Sequence, residues 1–385
     1  METIAQLTKA KNKRYLILSA GGPQSAVQGI YVNIEGAAWS ILSHALLPYP
    51  AQIQKILETI MLGPATSLTL ETLGWLDHAV SHLFLECAKT VCASAQKSLQ
   101  QPQIVVLNKL ELWKEVRVEN VQARHWNIEL GDAQLIASHF KTPVVTDFVR
   151  HDILGGGSGN LPLFPGMHTI AAGKEGIAAH CTIGTVSHLF IFDSQARHTI
   201  IDADIGPGTG LINKAAKDAQ CAEGFDRDGS FAAQGKVNAH CLETLASHPW
   251  FADPKPRQLR LAELFPLGDH PCLASLSPLD KLATLTALTA RTIFDFFKKE
   301  YQHVVVPETI WISGGGANNV TLFDFLTTYF APLRLRRVDD IGIPAEMFIP
   351  MAMGFSVDAF IMGRGGPWKS GNTPEIDGIG TWVYP

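Results

Sequence analysis

The sequence predicts an α/β protein whose two domains flank a ligand cleft, and three observations lead there. A chain of 385 residues, 46% of them hydrophobic, is long for a single core and fits two compact domains. Two strand–turn–strand hairpins with small residues at the turn are readable, one over 15–34 and one over 177–193. Between them a β-branched strand at Val144–Val145 ends beside Asp147, Asp152 and a glycine-rich turn at 155–159. Carboxylates next to flexible backbone suit a cleft between α/β layers. An interdomain loop with solvated acids has the same residues, and spacing alone leaves both readings open.

Composition narrows the class. Charged residues are only 17% and the formal net charge is −5, with no run of Lys and Arg, which argues against a nucleic-acid partner. Low charge leaves room for self-association as a homodimer. The first residues lack a signal-peptide pattern, and the most apolar late segment, 348–363, is broken by Pro350 and Asp358 before it reaches membrane length. Six cysteines (87, 92, 181, 221, 241 and 272) include no CxxC pair and read as free thiols in a reducing, cytoplasmic setting.

In chain order, Tyr15–Ser19 is the first strand, Ala20–Gly22 its turn and Val27–Ile34 the return. Residues 51–98 are mostly helical around a break at Gly63-Pro64, with Leu73, Leu76, Val80, Leu83, Phe84 and Cys87 at core-facing helical spacing. His78 and His82 are four apart there, but without a third ligand they read as core-edge or solvated histidines. Ile104–Leu107 is a strand, 113–126 an extended excursion, and GDAQLIASHF a helix leading into Val144. After the second hairpin, Asp204 precedes Gly206-Pro207-Gly208, a place for a phosphate or a Mg2+-bound water. Asp226 and Asp228 fit an Asx turn or a ligand contact. Ser277-Pro278-Leu279-Asp280 gives an N-cap, an N1 proline and an N3 acid for a helix ending at Lys298-Lys299. Strands at 304–306 and 309–313 then run into Gly314-Gly315-Gly316 and a further helix.

Read whole, DFVRHDILGGGSGNLPLFP (147–165) resembles the DFRxxDxAAGGQGAPLVP signature of the anhydro-N-acetylmuramic acid kinase family. The likeness continues at IELGDAQLIA (128–137), DADIGPGTGLI (202–212), FDRDGSFAAQGKV (225–237), LATLTALTARTI (282–293), ISGGGANN (312–319) and GNTP (371–374). It implies two RNase H-like domains of the actin and hexokinase type, 1–146 with 345–385 returning to it, and 147–344. It also implies ATP and Mg2+ as cofactors and a small sugar-like substrate. Asp152 then stands as the general base. Ser19, Ser25 and Gly29, with Gly184, Thr185, Asp204, Gly206 and Gly208, take the phosphates; Gly314, Gly315, Gly316 and Asn319 take the base. Asp204 also serves the metal, and Asn108, His151 and Lys255 the substrate.

The chain departs from that pattern at several of these places. In LSAGGPQSAVQGIY the two acids of the family's MSGTSxDGID are replaced, with Gln28 and Tyr31 standing there. LNKLE (107–111) stands for SHGQT, TIGTVSHLF (182–190) for NIGGIANIT with Thr182, Thr185 and His188 altered, and Ile349 for a sugar-contacting Glu. Thr185 leaves an altered phosphate loop or an ordinary hydroxyl-lined hairpin, and Lys255 with Arg257 and Arg260 an anion contact or a basic surface loop. The expectation is a divergent kinase of this class with a changed substrate site. The alternative is a degenerate paralogue that binds nucleotide or serves structure.

Overall fold

The computed structural model describes residues 2–385 apart from 37, 63–67, 117–124, 156, 158, 171–176, 194, 196–197, 253–260, 302–306, 365–368 and 371–377. Lys255, the GNTP motif and the strand expected at 304–306 fall outside the described residues.

The strands are β1 (Asn12–Ala20), β2 (Ala26–Glu35), β3 (Ala38–Pro48), β4 (Ile104–Asn108), β5 (Leu110–Val116), β6 (His125–Leu130) and β7 (Val144–Thr146). They continue with β8 (Ile177–Ile183), β9 (Val186–Asp193), β10 (His198–Pro207), β11 (Thr309–Ser313), β12 (Arg334–Arg337), β13 (Lys369–Ser370) and β14 (Thr381–Val383). The helices are α1 (Glu2–Lys9), α2 (Ala51–Leu62), α3 (Leu70–Ser94), α4 (Ala133–Phe140), α5 (Phe148–Leu154) and α6 (Phe164–Ile170). After these come α7 (Gly210–Asp218), α8 (Ala239–Ala246), α9 (Leu261–Leu264), α10 (Pro278–Tyr301), α11 (Val320–Phe330) and α12 (Phe348–Ile361).

Two six-stranded open sheets result, in the orders β14-β7-β4-β1-β2-β3 and β12-β11-β8-β9-β10-β13. Each is built on an antiparallel three-strand meander, β1-β2-β3 or β8-β9-β10. Each extends in parallel from the first meander strand, through β4 and β7 or through β11 and β12. The two sheets therefore share a five-strand core, as the repeated hairpin in the sequence foretold, and differ in the sixth strand: β14 joins antiparallel beside β7, β13 parallel beside β10 at the opposite edge. Residues Tyr15–Leu18 of β1 form an unbroken apolar run because both faces are covered there, whereas β3 alternates half-buried and exposed residues as a half-solvated edge strand does.

On one side of the first sheet lie α3 and α4, where Leu16, Leu18, Tyr31, Phe84 and Ile136 form one cluster. On the other side, α12 packs on β1, β2, β4 and α6, within a cluster that runs on into the second sheet. At Gly166 of α6 a Cβ would stand 1.8 Å from the Ala352 carbonyl oxygen, so only glycine lets α6 cross α12 this closely. Asp358 of α12 is buried and satisfied: it pairs with Lys13 and accepts from Tyr15 Oη at 2.8 Å and Arg364 Nη2 at 3.1 Å.

Helix ends follow the residues that cap them. Asp132 accepts from the Gln134 and Leu135 N–H groups at the start of α4, and Ser277 Oγ from Asp280 N–H at the start of α10. Three expectations need correction. Residues 148–154 are helical, so Asp152 stands on α5 and not in a strand-end loop, and 164–170 are helical although Pro165 lies near the start, where proline is tolerated. The excursion after Trp113 returns as the hairpin β5–β6. Cys241 and Cys272 are joined in a disulfide across 31 residues, because α8 brings its Cys241 beside the short turn at 271–273. The other four cysteines are free and buried.

Candidate active site

Strand ends, the β5–β6 hairpin and the loop after α5 together line a cavity of about 330 Å³. Gly21 and Gly22 come from the turn of the first hairpin, and Asn108, Lys109 and Glu111 from the β4–β5 junction. Gly159 and Asn160 follow α5, and Thr182, His188, Asp202 and Asp204 come from the second sheet. Val149, Leu163, Phe190 and Ile349 supply apolar wall.

Asp152 stands behind this wall. Its Oδ2 accepts the backbone N–H groups of Gly159 at 2.7 Å and Asn160 at 3.2 Å, so the acid and the glycine-rich loop hold each other. A Cβ on Gly157 would fall 2.2 Å from the same oxygen, which accounts for that glycine. Burial pushes the Asp152 carboxyl above its usual range; the two N–H donors pull it down and nearby Asp202 raises it again. A raised carboxyl suits a general base that must work near neutral pH. Asp147, which enters α5 at φ +58°, pairs with Lys109 Nζ at 2.7 Å.

His151 does not share this wall. Neighbours on a helix point about 100° apart, and its ring lies instead against Gly378, where a Cβ would stand 3.4 Å from Nε2. Asn108 lines the cavity and donates from Nδ2 to Ser19 Oγ at 2.9 Å, tying β4 to the buried end of β1. Ser25 is exposed in the turn, with its N–H bonded to Gly22 O at 2.9 Å. Gly29 is away from the cavity: a Cβ there would stand 2.8 Å from Cys87 Sγ and Val91 Cγ2, so this glycine serves the packing of α3 on the sheet. Tyr31 turns into the same core and donates to Leu99 O at 2.6 Å.

The second hairpin is braced from behind. Gly208 N–H bonds to Thr185 O at 3.0 Å, and a Cβ on Gly208 would stand only 2.0 Å from Gly184 O. A register shift between Asp204 and Gly206 marks a bulge, a device that re-aims side chains beside sites. Of the three glycines after β11, Gly314 has φ +80° and Gly316 would collide with the Ile183 side chain at 2.3 Å. A Cβ on Gly315 would meet no described atom within 4 Å beyond its chain neighbours. Asn319 is a helix cap: its Oδ1 accepts Leu322 N–H at 2.9 Å.

These residues fit a nucleotide. Thr185 Oγ1 lies 3.2 Å from where a Cβ on Gly22 would stand, so the two hairpin turns face each other with no side chain on Gly22 between them. Gly315 leaves open backbone for a flat base. Mg2+ fits poorly at Asp204. Asp204 Oδ1 lies 2.8 Å from His188 Nδ1, and Asp202 Oδ1 lies 2.6 Å from His188 Nε2. Two carboxylates, one on each ring nitrogen, call for two N–H groups and hence a cationic ring. Burial alone would lower the His188 pKa, but the bonds to Asp202 and Asp204 and their charges outweigh it and raise it to about 9. A cation already occupies this pair, and among the described residues no group of three His, Cys, Asp or Glu is arranged for a metal.

Sequence reasoning missed Asp202, Lys109, Glu111 and Glu129, and placed His188 only as a replacement. One signal was available: Asp202 and Asp204 are two apart in a strand and so share a face.

A family model described as anhydro-N-acetylmuramic acid kinase matches residues 13–376. A protein of that name from Ralstonia nicotianae is 27% identical over 368 residues, covering 91% of each chain. Another from Aliivibrio fischeri is 26% identical over 383 residues, 97% of this chain and 99% of that one. A third, from Rhodopseudomonas palustris, is 33% identical over 236 residues, 60% of this chain and 62% of its own.

Proposed function

The chain belongs to the anhydro-N-acetylmuramic acid kinase family, and from that premise we propose that it is a divergent phosphotransferase acting on a hydroxyl of an anhydro-sugar or related acceptor. The reading includes two RNase H-like domains, 1–146 with 345–385 and 147–344, flanking the cavity as a cleft. The observation that carries it is convergence: the first hairpin turn, residues of the second hairpin and the loop that binds Asp152 all border one cavity.

ATP, when bound, supplies the phosphoryl group. Gly22, Gly184 and Thr185 are the residues to hold its phosphates, and Gly315 faces its base. Asp152, set behind the lining residues, takes the proton of the attacking acceptor hydroxyl through one intervening water, or the proton of an attacking water, onto its carboxylate. His188 supplies a fixed positive charge at the wall, and no step is assigned to a metal. Ile349 offers an acceptor no hydrogen bond, so recognition has to come from the polar residues of 108–111 and the β5–β6 hairpin.

The test is ADP release over a panel of anhydro-sugars, amino sugars and polyols, beside calorimetry with ATP, for the wild type and Asp152→Asn. ATP affinity should stay within a few-fold while the rate falls by roughly 10²–10⁴. An unchanged rate would move the chemistry elsewhere. The His188 clamp on Asp204 favours a second reading, a nucleotide-binding paralogue without turnover, which ATP binding with no ADP release on any acceptor would select.

A further inference from the structure

Glu111 and Glu129 sit directly opposite each other in the β5–β6 ladder, and both line the cavity. Like charges so placed disfavour a hairpin unless something between them compensates. What the protein provides is incomplete. Lys114 Nζ is 3.4 Å from Glu111 Oε2 and also donates to Gly159 O at 3.0 Å. Lys109 is drawn off to Asp147 at 2.7 Å. Glu129 Oε2 accepts only a neutral amide, Asn127 Nδ2 at 2.8 Å, among its described hydrogen bonds. Burial, with Glu111 opposite, pushes the Glu129 carboxyl up to about 7, while Lys109 and Asn127 pull it down and Asp147 raises it.

The rest of the wall sharpens the imbalance. Asp202 and Asp204 are spoken for by His188, and Ile349 contributes no polar atom. Lys114 reaches only Glu111, so among the described residues Glu129 has no cation at ion-pair distance and the acceptor side of the cavity is short of one there. An ammonium group brings three donors and a positive charge to such a pair. An amide brings one donor and a carbonyl whose lone pairs oppose the carboxylates, and an acceptor carboxylate meets like charge.

We propose that Glu111 and Glu129 form the acceptor subsite of this cavity and select a sugar or polyol bearing a free primary amine over its N-acetylated, neutral or acidic counterparts. The proposal deepens the kinase reading and rests on it only for calling the cavity the acceptor site.

The experiment is calorimetry at pH 8 without nucleotide, using glucosamine, N-acetylglucosamine, glucose and glucuronic acid, on the full chain and on Glu129→Gln and Glu111→Gln. Glucosamine should bind roughly tenfold or more tighter than the other three, the scale of one charged hydrogen bond. Each variant should erase that preference. Glu129→Gln should also melt no lower than the wild type, because it removes a like-charge contact and no ion pair; Glu111→Gln gives up the Lys114 pair as well, so its circular dichroism is recorded alongside to keep loss of fold from mimicking the result. Equal affinities in the wild type, or a preference that survives both substitutions, would overturn the subsite. A selective amine site with no ADP release would instead leave the subsite standing and remove the kinase reading. ADP release on neutral acceptors without amine preference would do the reverse.

Discussion

The two sheets share a five-strand core, yet their hairpins have been put to different uses. In the first, the return strand β2 is packed on both faces, and its odd residues are absorbed by the core: Gly29 admits α3 and Tyr31 is fully buried. In the second, the return strand β9 keeps a polar residue on the cavity side, His188, held between two acids of β10. The shared part is the part that burial enforces, because a one-residue slip would turn every apolar side chain to the wrong face. What differs is the polar chemistry at the cavity wall, which packing does not specify.

The largest effect that would break this contrast concerns substrate. If the first hairpin and its surroundings have lost sugar recognition, 1,6-anhydro-N-acetylmuramic acid should not turn over as roughly 1 per second or faster, since each unmet buried hydrogen bond costs roughly 1–3 kcal/mol and several are lost together. A coupled ADP assay reaching that rate would show that Gln28, Ile349 and LNKLE do not impair the site. Next in size is backbone fit. Gly208→Val should cost roughly 3 kcal/mol in urea denaturation because its Cβ meets the Gly184 carbonyl at 2.0 Å. Gly22→Ala meets only the Thr185 side chain, at 3.2 Å, and should cost about 0.5 kcal/mol or less. Equal costs would mean that the second turn is no more tightly braced than the first.

A smaller effect separates binding from folding. Gly315→Val has open space around it, so the variant should fold with an unchanged melting temperature while ATP affinity drops by roughly tenfold or more. Unchanged affinity would show that the base lies elsewhere. Smallest is the His188 clamp. The ring titrates near 6.5 when unfolded and near 9 when folded. Its stabilisation is therefore full below pH 6.5, declines as pH rises and is gone above about 9. The melting gap between wild type and His188→Asn should narrow over that window; a gap independent of pH would deny the ring its charge.

Much of this was legible in the sequence where a period or a cap carries it. YLILS, the Thr309–Ser313 strand and the Ser277 cap were readable because burial on both faces, or one local hydrogen bond, sets them. Helix α5 was not, since at seven residues it is too short for an amphipathic period and its glycine-rich exit looks like loop. Nor was the Cys241–Cys272 bond, which depends on how α8 docks beside a turn 31 residues on. The Glu111–Glu129 pair needed the register of a hairpin, with its shift between Glu111 and Trp113, that no local signal announces. Of the candidate site residues, Asn108 and Asp204 line the cavity and Asp152 stands behind its wall, whereas Gly29, His151 and Asn319 sit in packing, helix geometry and capping that no motif announces.

Helix α12 has a bearing on how the chain is made. Its Asp358 receives Lys13 from 345 residues upstream, and β14 completes the edge beside β7. A ribosome releases β1 long before α12, so the nascent first sheet has one hydrophobic face uncovered until α12 emerges, with the Lys13 ammonium lacking its carboxylate. Native closure of that face waits for α12 and is limited by a contact of very long sequence separation. The second sheet's meander and α10 are spaced more locally and have no such wait. Emerging chains should therefore carry a structured β8–β9–β10 meander beside a first sheet whose α12 face is still open.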